Sequence, residues 1–195
     1  SLVRGTGGRL DGAGGYIRAG FVNADGDITR GVALNVRANG RTGAGQWVAN
    51  LDGTYMDSHR GRIFATQAYT ETVGQWNSRD LFVRWKHQAS FTYTEGPWSG
   101  TVSQGYTAGY MDERPSGVVP AGFNPRVRSY TTYDLSASYT GIKNLTLTGG
   151  IKNLFDTDPP FTAHNLDFAA GAGWDPRVAD PRGRAFTFRV NYKFF

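Results

Sequence analysis

Apolar and polar residues alternate along most of the chain, which is the pattern of β-strands with two different faces. Between Leu81 and Tyr93 the odd positions are mostly apolar or aromatic, and the even positions mostly carry charges, amides and hydroxyls. The same alternation runs from Phe186 to Phe194. It predicts eight strands, at residues 15–23, 28–38, 45–57, 80–94, 98–111, 129–140, 144–155 and 184–195. The glycine-rich residues 1–14 are predicted to form a turn or linker.

The connections between these strands alternate in length from residue 45 onward. Residues 95–97 and 141–143 are tight turns, whereas 58–79, 112–128 and 156–183 are long loops. Several predicted strands reach about 12–15 residues, above the usual length of about 5–6 in globular proteins. Long strands, short turns at one end and long loops at the other are typical of outer-membrane barrels. The sequence therefore predicts an all-β protein, an antiparallel transmembrane β-barrel of about eight strands.

A soluble lipocalin-like barrel or a β-sandwich would show the same alternation with the two faces reversed. Period two alone does not separate these folds from a membrane barrel. The strand length, the unequal loops and the aromatic residues at strand ends favour the membrane. Those aromatic residues are Tyr55, Tyr93, Trp98, Tyr110, Tyr133 and Tyr192.

Composition removes several classes of function. The chain has no cysteine, which excludes disulfide scaffolds, thiolate zinc sites and cysteine nucleophiles. The net charge of +5 comes from scattered basic residues without a long basic run, so no nucleic-acid partner is expected. The three histidines, His59, His87 and His164, lack metal-ligand spacing, so no metal and no cofactor are expected. Ser90 and His87 fall on opposite faces of one strand, which disfavours a membrane-edge hydrolase, and the protein is not expected to be an enzyme.

Three stretches of sequence resemble TonB-dependent outer-membrane receptors. Residues 150–156, GIKNLFD, followed by Pro-Pro-Phe at 159–161, are similar to the penultimate strand of that family. Residues 21–26 and 29–32 resemble one of its hairpins. The last strand, residues 183–195, ends in an aromatic residue like the closing strand of the family.

This resemblance implies a larger protein. The family's barrel is of the 22-stranded plugged class, so residues 1–195 would be the C-terminal portion of the barrel, with the plug domain absent from this chain. The implied function is energy-coupled uptake of a scarce ligand across the outer membrane of a Gram-negative bacterium, with a ferric siderophore ahead of haem or cobalamin. The implied partners are the plug and N-terminal strands of the same receptor, the TonB complex acting through that plug, a siderophore-like ligand, and outer-membrane lipid and lipopolysaccharide.

A second hypothesis is a complete eight-stranded outer-membrane barrel with a structural or recognition role, since eight strands is an allowed number. In that barrel the strand at 15–23 would pair with the strand at 184–195. The strand pairing therefore distinguishes the two hypotheses.

The long loops carry the candidate ligand-binding residues. Aromatic rings together with guanidinium groups suit a planar anionic chelate, although ordinary loop packing or contact with lipopolysaccharide would use the same residues. Four basic residues, Arg84, Lys86, Arg189 and Lys193, are expected to point inward, where the resemblance places the plug. The candidate binding residues are Tyr69, Trp76, Phe123, Arg126, Arg128, His164, Trp174 and Arg177.

Overall fold

The structure is a computed structural model of the chain. It describes residues 2–9, 13–17, 26–62, 64, 66–77, 80–113, 121–163 and 173–194. No helix in these ranges is long and apolar enough to cross a membrane.

The regular elements of the described part are almost all antiparallel strands. Two-residue strands pair near the N-terminus, β1 (Leu2–Val3) with β2 (Tyr16–Ile17). The main sheet contains seven long strands: β3 (Asp27–Thr42), β4 (Gly45–Gly61), β6 (Trp85–Glu95), β7 (Trp98–Thr107), β10 (Tyr130–Ile142), β11 (Leu145–Lys152) and β12 (Ala185–Tyr192). The short strand β5 (Thr70–Glu71) adds to β4, and β8 (Tyr110–Met111) pairs with β9 (Arg126–Val127). Long strands that follow one another in sequence are neighbours in the sheet, in the order β12-β11-β10-β7-β6-β4-β3.

Only the start of the first predicted strand lies in the described part, and there it does not join this sheet. Of residues 15–23, only Tyr16 and Ile17 are described as strand, and they pair with Leu2 and Val3. The predicted linker at 1–14 therefore contains a strand, and it also contains a 3-10 turn at Thr6–Gly8. The positive φ angles of the two glycines at positions 7 and 8, 76° and 73°, help to reverse the chain there. Residues 18–25 lie outside the described part.

Three two-residue turns define one end of the sheet. They are formed by residues 43–44, 96–97 and 143–144, and each contains one residue with positive φ. These residues are Gly43 (60°), Gly96 (55°) and Asn144 (61°), types that tolerate the left-handed region. The long connections all leave from the opposite end, so the sheet has a short-turn end and a long-loop end.

The two faces of the sheet differ in chemistry. On one face, cross-strand neighbours in the middle of the sheet form an unbroken apolar row: Ala38, Ala49, Phe91, Val102, Leu135, Ile151 and Phe186. On the other face hydroxyl groups pair between strands, as in Thr92 with Thr101 at 2.8 Å and Thr94 with Ser99 at 3.0 Å. We call these the apolar face and the polar face.

Aromatic rings on the apolar face lie over glycines of neighbouring strands. A Cβ atom at Gly53 would come within 2.4 Å of the Trp85 ring, and one at Gly40 within 2.8 Å of the Trp47 ring. The Trp85 indole is thereby directed along the face, where its Nε1 donates to His87 Nδ1 at 2.8 Å. His87 in turn contacts Gln104 at 3.0 Å, and Gln104 donates to the Tyr133 hydroxyl at 2.7 Å. His87 thus belongs to a hydrogen-bonded chain across three strands.

The sheet is open in the described part. β3 pairs with β4 and β12 pairs with β11, and no bond joins these two outer strands to each other. The pairing between the first and last strands that a complete eight-stranded barrel needs is therefore not found among the described residues.

The buried residues are concentrated outside the long strands. Apart from glycines, every buried residue of the described part lies at the long-loop end. They are Ser58, His59, Val73, Tyr110, Val127, Tyr130, Asn153, Pro160, Thr162, Asp175 and Ala179. The packed core of the described part therefore lies at the long-loop end.

Candidate ligand-binding site at the long-loop end

Three long connections meet at this end, and we call them loop A (residues 62–84), loop B (108–129) and loop C (153–184). Loop A is fixed to β4 by the carboxylate of Glu71. That carboxylate accepts hydrogen bonds from the Ser58 hydroxyl (2.5 Å), the His59 amide (2.9 Å) and the Val73 amide (3.0 Å). These bonds stabilise the charged form, and the Ser58 hydroxyl contributes most to lowering the pKa of Glu71 to about 2.

Loops A and B are joined through their backbones. The Trp76 amide donates to the Met111 carbonyl, and the Met111 amide donates to the Gly74 carbonyl, both at 2.8 Å. Met111 belongs to β8, so this contact continues the small sheet of loop B into loop A. These two backbone hydrogen bonds hold the two loops together.

Loops B and C are joined by Asp112. Its Oδ2 atom accepts hydrogen bonds from the Thr162 hydroxyl at 2.7 Å and from the Ala163 amide at 2.6 Å. Thr162 is buried, and its hydroxyl also bonds to the neighbouring Tyr110 side chain. Burial is the main cause that raises the pKa of Tyr110 to about 12. Tyr110 is thus held as a neutral phenol between the two loops.

Loop C turns back over the sheet at a buried carboxylate. The Asp175 side chain accepts a charge-assisted bond from the Arg177 guanidinium at 2.7 Å and a bond from the Arg177 amide at 2.9 Å. The same guanidinium reaches the Asn77 carbonyl of loop A at 3.3 Å. Further along loop C, the Asp180 carbonyl accepts a bond from the Tyr130 hydroxyl at 3.3 Å. These contacts hold loop C against the polar face.

The motif at residues 153–156 closes the base of loop C. Asn153 and Asp156 both have positive φ angles, 49° and 54°. The Asn153 side chain exchanges two bonds with the backbone of Thr157, at 2.9 and 3.0 Å, and Asp156 accepts a bond from the Arg184 amide at 2.7 Å. The two ends of the long loop are thereby held together.

A cleft of about 1010 Å³ lies between loop C and the polar face. Its floor comes from β3, β4, β6, β7 and β10, and its cover from loop C. The charged and aromatic residues that line it include Asp52, Lys86, Tyr130, Trp174, Arg177 and Arg182. A site of this size with a few polar groups can hold a small molecule.

The cations of the cleft differ in their partners. Arg177 is paired with Asp175, and Arg182 is paired with Asp180 at 2.5 Å. The Arg182 side chain lowers the pKa of Asp180 to about 2. Lys86 is paired with no acidic side chain in the described part. It is therefore the cation of the cleft whose charge is left for an outside partner.

The structure divides the predicted site residues among several places. Trp174 and Arg177 line the cleft, as does Lys86, which was expected to point inward. Phe123, Arg126 and Arg128 line a separate cavity of about 230 Å³ beside loop B. Of the other three candidates, the two that the structure describes, Tyr69 and Trp76, line neither cavity.

Tyr69 and Trp76 have other surroundings. Tyr69 lies under the Arg62 guanidinium, 4.5 Å from its ring centroid. Trp76 lies at the joint between loops A and B. His164 lies outside the described residues.

The other basic residues that were expected to point inward lie in different surroundings. Arg84 precedes β6 and donates to the Asp57 carbonyl of β4 at 2.7 Å. Arg189 pairs with Thr148 in the register of the polar face. Sequence reasoning missed Asp52, Gln88 and Tyr130 as lining residues of the cleft.

The described residues contain no cluster of three or more His, Asp or Glu side chains that could hold a metal ion.

Comparisons with known proteins agree with this fold. Residues 2–154 match the profile of the family described as TonB dependent receptor-like, beta-barrel. The structure is similar to that of a mutant of the ferric enterobactin receptor PfeA from Pseudomonas aeruginosa, with a TM-score of 0.57 over 88% of this chain. The sequence identity is 18%, which shows the fold alone, and the chain spans 23% of the length of that receptor. No curated protein sequence matches the chain. Because the profile covers most of its length, the chain belongs to the β-barrel family of TonB-dependent receptors, outer-membrane proteins of Gram-negative bacteria.

Proposed function

We propose that residues 1–195 form the C-terminal portion of a larger receptor barrel, whose plug domain and remaining strands lie outside this chain. The outer strands β3 and β12, whose outer edges have no partner among the described residues, support this proposal. An unpaired strand edge in a bilayer leaves backbone groups without hydrogen bonds, which costs several kcal/mol per group. Further strands of the same receptor would satisfy both edges.

The function we propose for that receptor is energy-coupled uptake of a ferric siderophore. The cleft between loop C and the polar face carries this proposal, because it lies at the long-loop end, where such barrels face the cell exterior. The structural neighbour is a ferric enterobactin receptor, which favours this ligand class over haem or cobalamin. The proposed energy source is the TonB complex, acting through the plug. The proposed role is binding and transport without covalent chemistry.

Within this proposal the cleft residues make the main contacts with the ligand. Lys86 and Arg177 offer positive charge to an anionic chelate, and the Trp174 ring offers a flat surface. The small cavity with Phe123, Arg126 and Arg128 would be a second contact nearer the rim. Tyr69, Trp76 and His164 remain candidates for the outer part of the mouth.

The test measures ligand binding by the complete receptor. Purified receptor is titrated with a panel of ferric siderophores, haem and cobalamin, and iron-dependent growth is followed in cells that lack other iron receptors. Lys86→Gln and Trp174→Ala are each expected to weaken siderophore binding roughly tenfold, the equivalent of about 1.4 kcal/mol. Arg189→Gln is the matched control, since Arg189 lies on the polar face but does not line the cleft.

Two results would contradict the proposal. One is binding of haem or cobalamin with no siderophore bound. The other is siderophore binding that is unchanged in both cleft variants, which would place the ligand elsewhere.

A further inference from the structure

Two apolar grooves lie side by side on the apolar face near the short-turn end. One, of about 420 Å³, is lined by Leu135, Ala137, Tyr139, Leu147 and Ile151. The other, of about 540 Å³, is lined by Tyr93, Pro97 and Gly100. Both are bounded by Trp98, which is 58% exposed and separates them as a ridge. The Tyr139 ring, 4.5 Å from the Trp98 ring, supports this ridge from one side.

The chain itself does not fill these grooves. A Cβ atom at Gly100 or at Gly149 would meet no other atom within 4 Å. The grooves lie on β6, β7, β10 and β11, all of which have both neighbours within this sheet. Further strands of the receptor would join only β3 and β12, so they would not cover the grooves. In the outer membrane this face meets lipid.

Opposite charges stand at the nearby turns. Glu95 borders the second groove at the β6–β7 turn, and Lys143 lies in the β10–β11 turn. The Thr140 amide donates to the Pro97 carbonyl at 2.9 Å, which holds the two turns next to each other. No ion pair joins Lys143 to an acidic side chain in the described part. A headgroup that carries both an ammonium and a phosphate complements this pair of charges.

We propose that these grooves bind one diacyl phospholipid with a zwitterionic headgroup, from the leaflet that faces the short turns. Its two acyl chains lie on either side of Trp98, its ammonium contacts Glu95 and its phosphate contacts Lys143. Because lipid tails are as apolar as the grooves, burial alone gives little preference over bulk lipid. The selectivity comes from the groove shape and the two charges.

The test counts lipids retained by the protein purified from outer membranes in mild detergent, using native mass spectrometry. Phosphatidylethanolamine and phosphatidylglycerol are then offered in equal amounts. The wild type is expected to retain one phosphatidylethanolamine in preference to phosphatidylglycerol. The double variant Gly100→Leu with Gly149→Leu fills the grooves and is expected to retain roughly tenfold less of it, whereas the matched variant Ala38→Leu, on the same face but outside the grooves, retains the wild-type amount.

The charge variants Glu95→Gln and Lys143→Gln keep the test valid if the groove variants fold poorly, because both residues are exposed at turns. Each is expected to remove the preference for phosphatidylethanolamine while the protein still shows its folded mobility in unheated gels. Equal retention of both lipids by the wild type would overturn the proposal. So would a lipid-free dimer that buries Trp98, since a second copy would then occupy the grooves.

Discussion

The carboxylate of Asp112 accepts a hydrogen bond from the Thr162 hydroxyl at 2.7 Å, although fifty residues separate them in the sequence. The bond joins the end of one hairpin to the loop that precedes the last strand. Since Thr162 is buried, its hydroxyl has little access to water when this bond is broken. Asp112 is therefore one of the residues that fix loop C against the sheet.

Replacing Asp112 by alanine should loosen loop C. The Thr162 hydroxyl and the Ala163 amide would lose their acceptor, which costs about 1–3 kcal/mol for a buried donor. Local opening should then be roughly tenfold to a hundredfold more frequent, and proteolytic cleavage within residues 153–184 should rise in proportion. Glu113→Ala removes the adjacent exposed carboxylate and should leave cleavage at the wild-type rate. Equal cleavage of both variants would show that Asp112 does not hold the loop.

Glu71 should give loop A an acid-dependent attachment. Its pKa is lowered from 4.5 to about 2, so the attachment is complete above pH 4.5 and is lost as pH falls towards 2. Hydrogen–deuterium exchange of the His59 and Val73 amides, corrected for the intrinsic effect of pH, should accelerate over this range. In Glu71→Gln the exchange should already be faster at pH 5 and nearly independent of pH. A wild-type profile without this transition would contradict the role of the carboxylate.

Tyr110 should make the loop cluster sensitive to alkali. Its pKa is raised from 10.0 to about 12, because burial disfavours the phenolate. A raised pKa gives a contribution that is complete below pH 10 and is lost as pH rises through about 12. Tyr110→Phe should remove this part of the alkaline destabilisation, as measured by unfolding monitored through tryptophan fluorescence at several pH values. Tyr69→Phe, at an exposed loop tyrosine, should leave the alkaline profile unchanged.

Gly53 should be intolerant of a side chain because the Trp85 ring lies against it. A Cβ atom 2.4 Å from that ring would displace the indole and break its bond to His87. Overpacking of this kind costs about 1–3 kcal/mol, so Gly53→Ala should lower the unfolding temperature and shift the tryptophan emission. Gly149→Ala is the matched control, since a Cβ atom there meets nothing within 4 Å. Equal unfolding temperatures for the two variants would refute this packing.

The strand interiors could be predicted from the sequence because each strand separates lipid-facing from polar residues. The resemblance to TonB-dependent receptors, carried by residues 150–156 among others, is confirmed by the family match over residues 2–154. The strand ends were less predictable. The strand predicted at 98–111 is interrupted after Thr107, where Gly109 approaches the Val127 carbonyl so closely that a Cβ atom would lie 2.3 Å from it. That contact involves residues distant in sequence, and the alternation of apolar and polar residues along a strand does not predict it.

The arrangement of the binding site was less accessible still. Aromatic and arginine residues in the loops could be recognised, but their grouping depends on how loop C folds back. Trp174 and Arg177 reach the cleft only because Asp175 and Tyr130 hold the loop over the polar face. Phe123 and Arg126 belong to a different cavity, because loop B is paired with itself through β8 and β9. Whether the two groups act on one ligand stays a prediction.

The concentration of buried residues at the long-loop end has a consequence for engineering this protein. Loops of a barrel are commonly treated as separate parts that can be exchanged one at a time. Here the Asn77 carbonyl, the Asp112 carboxylate and the Arg177 guanidinium take their partners from neighbouring loops, so replacing one loop removes contacts from another. A new specificity would have to be grafted onto this scaffold as a cassette of all three loops together, with the short-turn half of the strands kept as the recipient.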